Sequence, residues 1–128
     1  MNKSKSNNAA PAAVKIGDLF VMSWGYDQTN YNWFQVVKVT GSSVRLVEVY
    51  PDIVADEVAG YLARRYTVRN TREPLQRVDG WSFIKDQNAG DVKRLQIVGG
   101  RPYVRMTSYA GAHLVTGDTM TVLETSYH

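Results

Sequence analysis

The 128-residue chain contains no cysteine. Disulfide frameworks, thiolate nucleophiles, thiolate-bound zinc and iron–sulfur clusters are therefore excluded together. Histidine is nearly as scarce: His113 and His128 are the two present, too few for a histidine-rich metal centre. No apolar run exceeds a few residues, and residues 1–13 lack the apolar centre of a signal peptide. A membrane span and a secretory leader are thus not expected, and a soluble intracellular protein is. A phosphate loop leading into a helix is missing too, because Gly99-Gly100 reads as a hairpin turn with no helix after it.

What is present is an ordinary globular composition, 44% hydrophobic and 21% charged, at a length that suits one domain. Residues 1–13 read Asn/Ser/Lys/Ala and are expected to form a flexible tail before a single β-rich domain over 14–128. Lys15–Trp24 reads as a turn feeding a first strand. Asn32–Thr40 and Ser43–Tyr50, joined by Gly41-Ser42, carry a hairpin signal. After Pro51, Val54, Val58, Tyr61, Leu62 and Tyr66 fall at helical spacing behind Asp52 as N-cap. A short helix or a long loop is therefore expected near 52–66. A loop with room for a short strand follows over Thr67–Gly80, then a brief strand at Trp81–Ile84. Val92–Val98 and Arg101–Tyr109 flank Gly99-Gly100 as a second hairpin, Ala110–Gly117 crosses over, and Asp118–Glu124 closes the fold. This pattern predicts a mainly β protein, a small antiparallel β-barrel or roll of five to six strands. Its opening, Ile16-Gly17-Asp18-Leu19, resembles the turn that begins barrels of the Tudor and KOW kind.

The net charge of +3 is unevenly spread. Residues 61–105 hold ten basic side chains, eight of them arginine, against four acidic ones, while the flanking segments are slightly acidic. Arginine's planar fork suits phosphate and carboxylate, so Arg77, Lys93, Arg94 and Arg105 are candidate anion contacts. The competing reading is a solvated face whose arginines lay their stems over apolar neighbours.

Six of fourteen aromatics fall within residues 20–34. At the centre of that stretch, Trp24, Tyr26, Asp27, Gln28, Thr29, Asn30 and Tyr31 combine ring faces with amides, a hydroxyl and a carboxylate. Rings can stack on a flat ligand while amides and a carboxylate read its edge, which makes these the candidate ligand-binding residues. The alternative is equally physical. Asp, Thr and Asn tie down turns through their own backbone, and Trp and Tyr fill small cores.

The string SWGYDQTN, with the Gly-Asp-Leu-Phe strand before it and the Phe-Gln-Val-Val strand after it, resembles a family of small proteins encoded by bacteriophages, prophages and plasmid-like elements. The likeness covers about residues 15–50 and recurs more loosely at Val92–Tyr109. It implies a mobile-element origin and the cytoplasm of a bacterial host cell. It carries over no catalytic residue.

Enzymatic constellations fare poorly. Asp52 and Asp56 on one helical face would make a weak cation site, but such residues more often cap a helix and oppose its dipole. His113 with Ser108 and Asp118 imitates a hydrolytic triad without a strained nucleophile turn. The expectation is a protein that is not an enzyme, with no catalytic residues, metal or cofactor. It would hold a small anionic aromatic ligand, a nucleotide or nucleotide-derived host signal, as a counter-defence device. The alternatives are a nucleic-acid-binding module, or an interaction module that inhibits a host factor. No membrane partner is expected, and the base rate for small domains admits a homodimer.

Overall fold

The computed structural model describes residues 14–25, 28–78 and 90–125. The expected tail, the expected strand at Trp81–Ile84, and Tyr26 and Asp27 lie outside the described residues. Among the described residues the chain is all β. Its strands are β1 Leu19–Trp24, β2 Asn30–Thr40, β3 Ser43–Val49, β4 Asp52–Gly60, β5 Ala63–Arg69, β6 Asp91–Arg94, β7 Gln96–Val98, β8 Arg101–Arg105, β9 Gly111–Leu114 and β10 Thr119–Thr125. A seven-stranded sheet runs in the order β6-β3-β2-β1-β9-β8-β7, and a three-stranded sheet in the order β10-β5-β4. Every pairing is antiparallel. The larger sheet curls until β6 touches β8 across its hollow, giving a half barrel closed on its outer side by the smaller sheet.

The ten described strands exceed the five or six expected, for identifiable reasons. The run Val92–Val98 divides at the buried Leu95, so β6 pairs with β3 while β7 forms the hairpin with β8. The supposed crossover contains β9, which pairs with β1 on one side and β8 on the other. The largest correction concerns 52–66, which is neither helix nor loop but the hairpin of β4 and β5. Most of the apolar residues at helical spacing cover nothing: Val54, Val58 and Tyr61 are exposed, Val58 at 84% and Tyr61 at 93%. Burial follows period 2 instead, through Tyr66 and Val68. Acids of β4 face arginines of β5, with Asp52–Arg69 at 3.1 Å, Asp56–Arg64 at 2.8 Å and Glu57–Arg65 at 3.5 Å. Such cross-strand pairs set register more than they add stability.

Alternation splits the interior in two. Leu19, Val21, Trp33, Val47 and Val49 face outward from the large sheet and meet Tyr66, Val68 and Val122 of the small one. Phe20, Val36, Val44, Leu46, Val104, Ala112 and Leu114 fill the hollow of the curl. The centre of the large sheet is thus covered on both faces, which explains why Leu19–Met22 reads as a continuous apolar run. Alternation sends the adjacent Val36 and Val37 to different cores, and the bulge between Val36 and Lys38 shifts the phase so that Val39 packs against the inner one as well.

Two polar residues lock the loops that frame this sheet. Gln35, 1% exposed, donates to the carbonyls of Gly17 (3.0 Å) and Glu73 (2.8 Å) and accepts from the Leu75 N–H (3.0 Å). Asp18 accepts from the Lys15 N–H at 2.9 Å and is ion-paired with Arg72 at 3.4 Å. The Gly17-Asp18 pair is therefore a structural turn.

Candidate functional site

Strand register assembles the site on the inner face of the curl. Met22 stands opposite Asn32 and Trp24 opposite Asn30 across β1 and β2, and Phe34 faces Glu48 across β2 and β3. Period 2 therefore puts Met22, Trp24, Asn32, Phe34 and Glu48 on one surface, continuous with the inner core against which Met22, Phe34 and Met106 pack. Facing it is the turn between β8 and β9. There the N–H groups of Met106 and Thr107 both donate to the Ala110 carbonyl, at 3.0 and 2.9 Å, and Thr107 Oγ1 accepts from the Tyr109 N–H at 3.3 Å. This tight turn projects Tyr109 outward, 86% exposed, towards Trp24, itself 45% exposed.

Trp24, Tyr109 and Ala110 line two adjoining concavities of about 490 and 280 Å³. Ser23, Gly25 and Gln28 complete the larger, and Asn32, Phe34, Glu48 and Thr107 are among the residues of the smaller. Phe34 and Glu48 also line a third concavity of about 340 Å³, where Arg77, Asp91 and Met106 join them. The result is one open cleft with aromatic rings at one end and a mixed-charge pair at the other. Its floor is ordered by a hydrogen-bond relay: Trp24 Nε1 donates to Asn32 Oδ1, and Asn32 Nδ2 donates to Glu48 Oε2 at 2.8 Å. Oε1 of Glu48 has no protein partner among the described residues.

The candidate residues of the Trp24–Tyr31 loop separate by face. Trp24 and Gln28 line the cleft. Gly25 closes the turn: at φ +134° an added Cβ would lie 1.9 Å from the Gln28 carbonyl oxygen. Thr29 is an anchor, donating its N–H to Thr125 Oγ1 at 2.9 Å and accepting from the Thr125 N–H at 3.0 Å. Asn30 shares the cleft face, and its buried Nδ2 has no partner among the described residues. Tyr31 does not reach the cleft, because alternation sends it to the outer core, its ring 6.4 Å from that of Trp33. Burial there, helped by the Glu124 carboxylate, pushes its phenol above the ordinary value.

The arginine-rich segment does not form one patch. Arg64, Arg65, Arg69 and Arg72 are each ion-paired, so the acids of one stretch of sequence meet the arginines of another through strand pairing. Of the candidate anion contacts, Arg77 lines the third concavity, beside Asp91. Lys93 and Arg94 stand opposite Val44 and Ser43, and Arg105 donates to the Ser108 carbonyl at 3.2 Å. They are not gathered around Trp24. Nor does His113 join a triad with Ser108 and Asp118; it lies against Tyr103, with ring centroids 5.0 Å apart. Burial, with Arg101 adding to it, lowers its pKa.

Sequence reasoning missed Asn32, Phe34, Glu48 and Tyr109. The available signal was Glu48 itself, a carboxylate between Val47 and Val49 on the alternate positions occupied by Leu46 and Val44. Among the described residues no cluster of three or more His, Asp or Glu could hold a metal ion, and no helix is long and apolar enough to cross a membrane. No protein-family model matches the chain, and no curated protein or solved structure matches it.

Proposed function

We propose that the chain is a binding protein without catalytic activity, which holds a nucleotide or nucleotide-derived ligand in the Trp24–Tyr109 cleft. One observation carries this reading: two exposed rings line the same concavities, and a positioned amide and carboxylate line the smaller of them beside Trp24. A ring stacked on such a wall gains about 1–3 kcal/mol, and the amide and carboxylate supply the selectivity that stacking lacks. The likeness of SWGYDQTN to mobile-element proteins adds a setting in which capturing a host nucleotide signal blunts a defence.

The test is mass spectrometry of small molecules released from the purified protein, joined to calorimetry with mono-, di- and cyclic nucleotides. Binding that falls tenfold or more in Trp24→Ala supports the reading, and no binding across the set overturns it. The ion-paired arginines weigh against a nucleic-acid module. Binding to DNA or RNA that dropped steeply between about 50 and 200 mM salt would restore that alternative.

A further inference from the structure

The chemistry of the cleft floor restricts which ring can occupy it. Among the described residues, the two concavities that share Trp24 and Tyr109 are lined by a single charged group, the Glu48 carboxylate, and by no lysine or arginine. A carboxylate only accepts hydrogen bonds. Asn32 occupies Oε2, which fixes the plane of the group and leaves Oε1 and a further lone pair of Oε2 for a ligand. The ring must therefore offer donors, two of them side by side.

Guanine does so, through N1–H and the neighbouring N2 amino group. Adenine and cytosine each place a ring nitrogen lone pair beside their amino group, and that lone pair would face the carboxylate. Uracil flanks its one N–H with carbonyl oxygens. From this complementarity we infer that the cleft recognises guanine, with Glu48 reading the N1–H and N2–H edge while the base lies between Trp24 and Tyr109. This inference rests on reading the cleft as a nucleotide site, and it goes further in one respect. A phosphate reaching the third concavity meets Asp91 as well as Arg77, so phosphates add little there. The base carries the recognition, and the ligand is defined by guanine rather than by charge.

The test is calorimetry on the full chain with guanosine, GMP, inosine, adenosine and cytidine. Guanosine and GMP should bind within about threefold of each other. Inosine, lacking the amino group, should bind several-fold more weakly, and adenosine and cytidine at least about tenfold more weakly, as for a lost bidentate contact. Glu48→Gln, which replaces an acceptor-only group with one that also donates, should remove the preference for guanosine over adenosine. Circular dichroism of the variant checks that it folds, and guanosine lacking its N1–H through methylation, offered to the unaltered protein, gives the same answer without a mutation. Equal binding of adenosine and guanosine, or tight binding of N1-methylguanosine, would overturn the guanine assignment while leaving a nucleotide site in place. Binding by none of the nucleosides or nucleotides would overturn both.

Discussion

Asn32 takes the indole N–H of Trp24 on its oxygen and gives its own N–H to Glu48, so the wall of the cleft and its floor are oriented by one amide. The ring is set before any ligand arrives, which lowers the ordering cost of binding. Asn32→Ala removes both bonds and leaves Trp24 and Glu48 free to rotate. Ligand affinity should fall about five- to 150-fold, in line with two hydrogen bonds of about 0.5–1.5 kcal/mol each. Folding stability should change far less, because Trp24 and Glu48 are both open enough to solvent to be rehydrated. Calorimetry and urea titration on the same preparation separate the two effects.

Gly25 makes the loop geometry testable without touching a ring. An alanine there puts Cβ 1.9 Å from a backbone oxygen at φ +134°, and neither partner is a flexible side chain. Gly25→Ala should cost about 1–3 kcal/mol of stability and weaken binding by moving Gln28. Gly41 is the control, since its positive φ of +55° lies in a turn with nothing within 4 Å of an added Cβ. Gly41→Ala should cost about 1 kcal/mol and leave affinity unchanged.

How far the sequence could be read depended on what decides each element. The hairpin around Gly41 and the turn at Gly99-Gly100 are local, and their turn glycines sit at positive φ as the pattern requires. The β4–β5 hairpin is decided by pairing. Valines spaced four apart mimic a helix, yet the stronger signal was the mirror order of acids at Asp52, Asp56 and Glu57 and arginines at Arg64, Arg65 and Arg69. Trp24 and Gln28 were legible as cleft residues because they cluster in sequence. Tyr109 was not, since only the β9 pairing with β1 brings it near Trp24. Tyr31 fell to the opposite face by alternation, a consequence of a register that propensity alone does not fix.

Gln35 predicts a stability effect remote from the cleft. Its buried amide joins the turn before β1 to the Glu73–Leu75 loop through three hydrogen bonds. Gln35→Leu keeps volume but strands two carbonyls and an N–H, so the loss should be about 2–4 kcal/mol. A lowered urea midpoint with an unchanged slope is the expected result, with nucleotide affinity retained in the folded fraction.

Stability should fall at both ends of the pH scale, through different groups. The hydrogen bond from Arg64, with its charge as a smaller contribution, holds the exposed Asp56 carboxyl below its ordinary value. A depressed carboxylate stabilises the fold above its unfolded pKa and loses that contribution as pH drops through the folded one, so the loss belongs below about pH 4. At the alkaline end, burial pushes the Tyr66 phenol above its ordinary value, outweighing the hydrogen bond it accepts from Trp33 Nε1 at 3.2 Å. The folded chain keeps that proton when the unfolded chain has released it, so stability is complete below about pH 10 and declines above it. Urea midpoints across pH should show both declines. Asp56→Asn should shrink the acid limb, to which the lowered His113 also contributes, and Tyr66→Phe the alkaline one, which the raised Tyr31 shares. Tyr66→Phe also lowers the plateau by leaving the Trp33 N–H without its acceptor.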